Sequence, residues 1–94
     1  MSSDQFLKYM TEVAKDKRLS VWHLVFIFAL LQLAHQQKKT HSVLISRRKV
    51  MELSHINTIP TYHKYLRDLQ SLGYIHYTPS YHPKIRSKIS LLNL

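Results

Sequence analysis

The chain has 94 residues, with 14 Lys and Arg against 5 Asp and Glu, which gives a net charge of +9. This length supports one small domain and excludes a TIM barrel, a full dinucleotide-binding fold and most kinases. With 45% apolar residues, one Gly and three Pro, the composition favours a folded, helix-rich chain over a disordered or many-turned β chain.

Two helices are predicted in the first third of the chain. Residues 4–17 carry apolar side chains at three- and four-residue spacing, which is typical of an amphipathic helix. Ser20 offers an N-cap oxygen for a second helix that runs to about Gln37. Because residues 21–34 are apolar at all but two positions, this helix must be buried on several sides. We expect it to pack on the core and also against the first helix or a partner chain.

The same apolar run bears on the cellular location. Its fourteen residues fall short of the roughly 20 that a bilayer-spanning helix needs, so we expect a core helix and no membrane partner. The first five residues show no basic segment followed by an apolar run, so no signal peptide is predicted. We expect a cytoplasmic protein, associated with the nucleoid if its source is bacterial.

Two shorter helices are predicted in the middle of the chain. The apolar run 43–45 is too short for an independent strand, and Ser46 then offers an N-cap for a helix of about nine residues. Residues 55–57 break the pattern. Thr58 is an N-cap candidate for a helix that continues to about residue 72. Gly73, the only glycine, lies where a left-handed residue would end that helix.

The last part of the chain predicts a β-hairpin. Residues 74–78 have strand composition, and residues 79–83 form a turn region. Residues 85–91 then alternate, which separates two faces of a strand. One face holds Ile85, Ser87, Ile89 and Leu91, and the other holds Arg86, Lys88 and Ser90. The hairpin therefore has one basic face.

This order of elements resembles the winged helix-turn-helix DNA-binding family over residues 20–92. The most informative stretch is residues 46–75, whose apolar and glycine positions match the family's pattern. These positions are Leu53, Ile56, Tyr62, Leu66, Leu69, Leu72, Gly73 and Ile75. The chain departs from the pattern at His55 and Asn57, where the turn has no glycine, and at Tyr62, which is larger than the usual aliphatic residue.

The resemblance implies a fold class and a division of the chain. We expect a mainly α fold with a small β-hairpin, of the α+β class, in which residues 20–94 form a winged helix-turn-helix domain. Residues 1–19 add an N-terminal helix that serves either for dimerisation or to cover the core.

The positive charge is concentrated in the second part of the chain. Residues 38–94 hold ten Lys and Arg but only Glu52 and Asp68, a net charge of +8. Such an excess attracts polyanions. A membrane-binding amphipathic helix would carry its basic residues on one face of a single helix. Here they are scattered over several short elements, which favours a folded nucleic-acid binder, with a merely basic soluble surface as the alternative.

A helical wheel separates two faces of the predicted helix 58–72. Its inner stripe consists of Ile59, Tyr62, Leu66 and Leu69, and the outer face is polar and basic. The resemblance implies that this is a recognition helix whose N-terminal residues enter the major groove. The expected base contacts are Thr58, Pro60, Thr61, His63 and Lys64. The alternative is that Lys64 and Asp68 form only an i,i+4 pair on the surface.

Backbone phosphates are expected at two other elements. The first is the start of the helix after Ser46, whose free N–H groups and dipole favour an anion; the alternative is a solvated charge run. The second is a basic wing (about 76–90), which the resemblance places on the backbone or in the minor groove. The expected backbone contacts are Ser46, Arg47, Arg48, Lys49, Arg67, Tyr81, His82, Lys84, Arg86 and Lys88.

Metal and catalytic chemistry find little support in the sequence. Seven histidines occur without a zinc-binding motif, without cysteine and with few carboxylates. A paired-carboxylate site would have to join Glu52 and Asp68 from two helices with no sign of a cleft. We therefore expect no metal, no cofactor and no catalytic residue, and a protein that is not an enzyme.

The leading functional hypothesis is sequence-specific binding of double-stranded DNA by a transcriptional regulator. The over-apolar second helix and the extra N-terminal helix favour a homodimer through residues 4–37. One alternative is an accessory DNA-binding protein of a mobile element, for excision or replication. Another is a protein–protein interaction module that uses the wing tyrosines Tyr74, Tyr77 and Tyr81.

Overall fold

The structure of the protein is a computed structural model that describes residues 3–92 and residue 94. The described residues form four helices and a three-stranded antiparallel sheet, an α+β fold. In chain order the elements are α1 (Ser3–Ala14), α2 (Val21–Gln37), β1 (Val43–Ile45), α3 (Arg47–Ser54), α4 (Ile59–Ser71), β2 (Ile75–Thr78) and β3 (Ser87–Leu91).

The predicted starts of α2, α3 and α4 are confirmed. Ser20, Ser46 and Thr58 all have extended backbones, and each side-chain oxygen accepts from the N–H group three residues ahead. At Ser20 the cap is reciprocal, because the Ser20 N–H donates to the His23 ring at 2.9 Å. These caps satisfy N–H groups that the first turn of a helix leaves without partners.

Helices α3 and α4 are each followed by a residue with a left-handed backbone conformation. Gly73 follows α4 with a φ of +85°, as predicted for a C-terminal glycine. After α3 the same role falls to His55, with a φ of +59°. A left-handed histidine therefore makes the turn for which the resemblance expects a glycine.

Helix α1 ends at Ala14, three residues before the predicted end at residue 17. The chain turns here because Asp16 binds groups outside the helix. Its carboxylate accepts from the Arg18 backbone, from the Arg18 guanidinium and from the Tyr74 hydroxyl. These hydrogen bonds, those of Arg18 first, hold the pKa of Asp16 well below its usual range.

Helix α2 is the centre of the core and packs against β1, α3 and α4. Its predicted burial on several sides is confirmed. The buried α2 residues are His23, Phe26, Ile27, Ala29, Leu30, Leu31, Leu33 and Ala34. Tyr9 and Val13 of α1 join the same core. Within the described residues, none of the helices is long and apolar enough to cross a membrane.

Ile59 of the predicted inner stripe and Ile85 of the predicted alternating strand are both exposed. Ile59 is 44% exposed because it is the first residue of α4, at the free end of the inner stripe. Ile85 is 56% exposed because β3 begins only at Ser87, so Ile85 belongs to the connecting loop. The inner side of α4 instead includes Tyr65, whose ring lies 4.7 Å from the His23 ring, centroid to centroid, in an edge-to-face arrangement.

The sheet has the strand order β1-β3-β2. The predicted hairpin is β2–β3, with Tyr77 opposite Ile89, and the short run 43–45 pairs with the other side of β3. Ile89 and Leu91 face the core, and Lys88 lies on the opposite face of the sheet.

Glutamine side chains occupy both edges of the sheet. On β1, the Gln37 amide donates to the Leu44 carbonyl at 2.8 Å and accepts from the Leu44 N–H at 2.9 Å. On β2, the Gln70 side-chain oxygen accepts from the Tyr77 N–H at 2.7 Å. Free strand edges template pairing with other chains, so these amides protect the sheet against edge-to-edge association.

Gln37→Ala should therefore free the β1 edge. We expect the free energy of unfolding to fall by about 1 kcal/mol, because two exposed hydrogen bonds are lost. We also expect concentration-dependent association in light scattering. Gln36→Ala, an exposed neighbour on the same helix, is the control. Equal stability and equal scattering for the two variants would contradict this role of Gln37.

Candidate functional site

Three segments that are distant in sequence surround one groove on the surface. The start of α3, the N-terminal part of α4 and the loop between β2 and β3 enclose a volume of about 640 Å³. We call this the basic groove. Its polar and charged lining includes five predicted contact residues, Ser46, Arg47, His63, Lys84 and Arg86, and no acidic residue. The fold therefore brings Arg47 of α3 together with Lys84 and Arg86 of the loop, next to His63 of α4.

The basic residues at the start of α3 diverge. All three are exposed, but Arg47 lines the basic groove, and Lys49 lines a smaller groove of about 320 Å³ beside Gln37 and Leu44. Arg48 lines neither of these two grooves. Arg86 borders both, so it connects them. Ser46 is committed to the helix cap, because its hydroxyl accepts from the Lys49 N–H at 3.2 Å.

The outer face of α4 presents an exposed stripe. Pro60, Lys64 and Arg67 recur at helical spacing, and all three are exposed. The Lys64 ammonium lies 5.6 Å from the centroid of the Tyr65 ring, a weak cation–π contact. At the start of the helix the Thr58 hydroxyl donates to the Thr61 hydroxyl at 2.6 Å and accepts from the Thr61 N–H.

The alternative of a Lys64–Asp68 pair is wrong. Asp68 instead lies 2.9 Å from the His23 ring, between its Oδ2 and the Nε2 atom. The other ring nitrogen, Nδ1, lies 2.8 Å from the Ser20 hydroxyl. A ring with its proton on Nε2 satisfies all of these contacts. These contacts join Asp68 of α4, through the His23 ring, to Ser20, whose hydroxyl caps α2. We therefore infer that they hold α4 against the start of α2.

The loop between β2 and β3 is organised by short polar contacts. The Ser80 N–H donates to the Ser87 hydroxyl at 3.1 Å, and the Lys84 N–H donates to the His82 ring at 3.2 Å. Tyr81 stands 92% exposed at the tip. Lys84 and Arg86 line the basic groove, whereas Lys88 lies apart from them on the outer face of the sheet.

Tyr74, Tyr77 and Tyr81 do not form one exposed aromatic surface. Tyr74 and Tyr77 are half-buried, and their hydroxyls donate to Asp16 and to Ser87. Only Tyr81 of the three projects fully into solvent. A protein-binding wing would therefore have one of the three expected aromatic anchors.

Tyr62, which the helical periodicity places only in the core, is also a groove residue. Its ring packs near Phe26, with 5.6 Å between ring centroids, and the residue is 3% exposed, yet it also lines the basic groove. Burial raises the pKa of Tyr62 to about 12; the nearby Tyr77 adds to the rise and Arg47 opposes it. The Tyr62 hydroxyl therefore stays protonated and can donate a hydrogen bond at neutral pH.

The histidines do not gather into a cluster. Among the described residues, no three His, Cys, Asp or Glu side chains lie close enough together to hold a metal ion. No known protein family, curated protein or solved structure matches the chain.

Proposed function

We propose that the protein binds double-stranded DNA in a sequence-specific manner, as a winged helix-turn-helix transcriptional regulator. The order of elements supports this assignment. The pair α3–α4 is joined by residues 55–58 and followed by the hairpin β2–β3, while β1 completes the sheet. In this assignment α4 is the recognition helix and the hairpin with its loop is the wing.

The observation that carries the proposal is the basic groove. Arg47, Lys84 and Arg86 come from two different elements of the fold but surround one space with no acidic lining. Such a concentration of positive charge favours a polyanion and speeds its association. The two carboxylates of residues 38–94 do not counter it, because neither lines the groove and Asp68 is occupied by His23.

The exposed stripe of α4 supplies the base-reading part of the proposal. With α4 in the major groove, the base contacts come from Thr58, Pro60, Thr61, His63 and Lys64 near its N-terminal end. The basic groove lies beside this end, because His63 belongs to its lining. Phosphate contacts at the groove would fix the register of α4, and the α4 side chains would discriminate between bases.

We also propose a homodimer formed through residues 4–37. The core of one chain buries much of α2, but Val21, Trp22 and Phe28 remain exposed. Val21 and Phe28 lie on one stripe, seven residues apart. Because α2 carries no Lys, Arg, Asp or Glu, two copies of this strongly basic chain could meet here without like charges in contact.

Selection of bound DNA from a random pool tests the proposal. We expect an enriched motif, arranged as an inverted repeat with half-sites about one helical turn apart if the protein is a dimer. Affinity should fall with salt at a log–log slope of about −0.9 for each phosphate neutralised. Failure to bind DNA, or binding that is flat against salt, would overturn the proposal in favour of a protein-binding module.

Two further results decide the details. A monomer in sedimentation at micromolar concentration would remove the dimer and leave the DNA-binding part intact. Loss of regulation at genes next to an enriched site, when the protein is deleted, would support a transcriptional regulator. An enriched site that lies only at the ends or origin of a mobile element would instead support the excision or replication factor.

A further inference from the structure

The Tyr62 hydroxyl has no hydrogen-bond partner among the residues that the structure describes. A tyrosine hydroxyl can donate and accept hydrogen bonds, so one without a partner in the protein is available to water or to a ligand. Tyr62 is more than nine-tenths buried, and its side chain lines the basic groove. The one sealed and unpartnered side-chain polar atom in the described part of the chain is the hydroxyl of Tyr9. The Tyr62 hydroxyl therefore opens to the groove.

Core packing accounts for the ring of Tyr62 but not for its hydroxyl. The ring lies beside Phe26 and His63, contacts that a phenylalanine would also make. The chain nevertheless carries a tyrosine here, at a groove that Arg47, Lys84 and Arg86 also line. Arg47 is near enough to the Tyr62 hydroxyl to act on it electrostatically. The start of α3, with its free N–H groups, lies at the same groove.

We propose that the basic groove is a built site for a single phosphoryl group, with the Tyr62 hydroxyl as the hydrogen-bond donor at its floor. Arg47 and Arg86 supply the positive charge, and the first N–H groups of α3 supply a favourable dipole. This inference rests on the proposed function, in which the phosphoryl group belongs to the DNA backbone. A free phosphate has the same chemistry and is the other source.

Such a site would give the protein a fixed point on the DNA. An exposed lysine can follow a phosphate over several ångströms, whereas a hydroxyl carried by a packed and buried tyrosine ring donates from one position. Because α4 also provides the ring of Tyr62, a phosphate held there would set the depth at which α4 enters the major groove. The contact itself reads no sequence.

Tyr62→Phe tests the inference, since it removes the hydroxyl and keeps the ring. We expect affinity to fall about tenfold or more, as for loss of a hydrogen bond to a charged group. The loss should be equal on the selected site and on random DNA. Tyr65→Phe is the matched control, because Tyr65 is buried on the same helix but does not line the groove. We expect its affinity to match that of the unmodified protein.

A neutral-backbone scan shows which phosphate is held. Each phosphate of the selected duplex is replaced in turn by a methylphosphonate, and binding is measured for the unmodified protein and for Tyr62→Phe. At one position the methylphosphonate should weaken binding by the unmodified protein strongly and binding by the variant only slightly. Arg86→Gln changes an exposed residue and should abolish sensitivity to the same phosphate. It replaces Tyr62→Phe in this experiment if Tyr62→Phe does not fold.

A titration with inorganic phosphate separates the two sources and the two proposals. If the unmodified protein binds DNA and Tyr62→Phe binds it equally well, the phosphoryl site is overturned and the proposed function stands. If DNA does not bind but phosphate raises the Tm of the unmodified protein and not that of Tyr62→Phe, the site stands with a free phosphate as its ligand and the proposed function fails. Absence of both effects removes both proposals.

Discussion

Lys64→Ala is expected to weaken binding to the selected DNA site by about 1–3 kcal/mol and to relax the base preference at one position. Lys64 lies on the exposed stripe of α4, and none of the ion pairs within residues 3–92 involves it. Its contact with the Tyr65 ring is weak enough to be exchanged for a guanine edge. Titration of the selected duplex and of single-base variants measures both effects.

Arg48→Ala is the matched comparison for Lys64→Ala. Arg48 is also exposed and basic, but it lies near the start of α3, outside the basic groove. A contact to phosphate there should weaken all DNA sequences alike and reduce the salt slope by about one. If both variants lose the same affinity on selected and on random DNA, the division between base reading by α4 and positioning by α3 is wrong.

The local signals in the sequence were sufficient to predict most of the helix boundaries. Ser20, Ser46 and Thr58 act within one helical turn, and Gly73 needs only its own backbone conformation, so each can be recognised without the fold. The end of α1 was not predictable in this way. It depends on Asp16, whose partners include the hydroxyl of Tyr74, 58 positions further along the chain.

The sequence predicts which residues are candidates for the site better than it predicts which of them lie together. The sequence predicts the basic side chains at the start of α3 as candidate phosphate contacts from charge and helix position, and those of the β2–β3 loop from the family resemblance. That Arg47 and Arg86 share a groove, while Arg48 and Lys88 lie outside it, depends on how the elements pack. The periodicity that assigned Tyr62 to the core describes its ring and carries no information on where its hydroxyl emerges.

The contact between His23 and Asp68 shows the same limit. On a helical wheel Asp68 is an outer residue that faces Lys64, and this spacing predicts a surface pair. The packing of α4 on α2 brings a buried imidazole within hydrogen-bond reach of the carboxylate instead. A pairing across 45 positions of sequence depends on the tertiary structure, which a short-range pattern does not contain.

Tyr9→Phe is expected to raise the free energy of unfolding by about 1–3 kcal/mol, the range for a buried polar group left without a partner. Tyr9 is 5% exposed, and its hydroxyl is buried without a hydrogen bond in the described part of the chain. Phenylalanine keeps the ring in the core and removes the unsatisfied group. Chemical denaturation at neutral pH measures the difference.

Tyr74→Phe provides a control of opposite sign. It removes a hydroxyl that donates to Asp16, so it should lower stability. If Tyr9→Phe is destabilising to the same extent as Tyr74→Phe, the Tyr9 hydroxyl must have a favourable partner and the prediction is wrong.

Alkaline pH gives a second measure of the same hydroxyl. Burial, with a smaller contribution from Tyr74, raises the pKa of Tyr9 to about 12, against an ordinary value of 10.0. A raised pKa means that the folded state holds the proton more tightly than the unfolded state. Stability should therefore be lost as the pH rises from 10 towards 12. Tyr9→Phe lacks this proton, so its advantage over the unmodified protein should widen across that range; a constant difference would show that the Tyr9 hydroxyl ionises as easily in the folded chain as in the unfolded one.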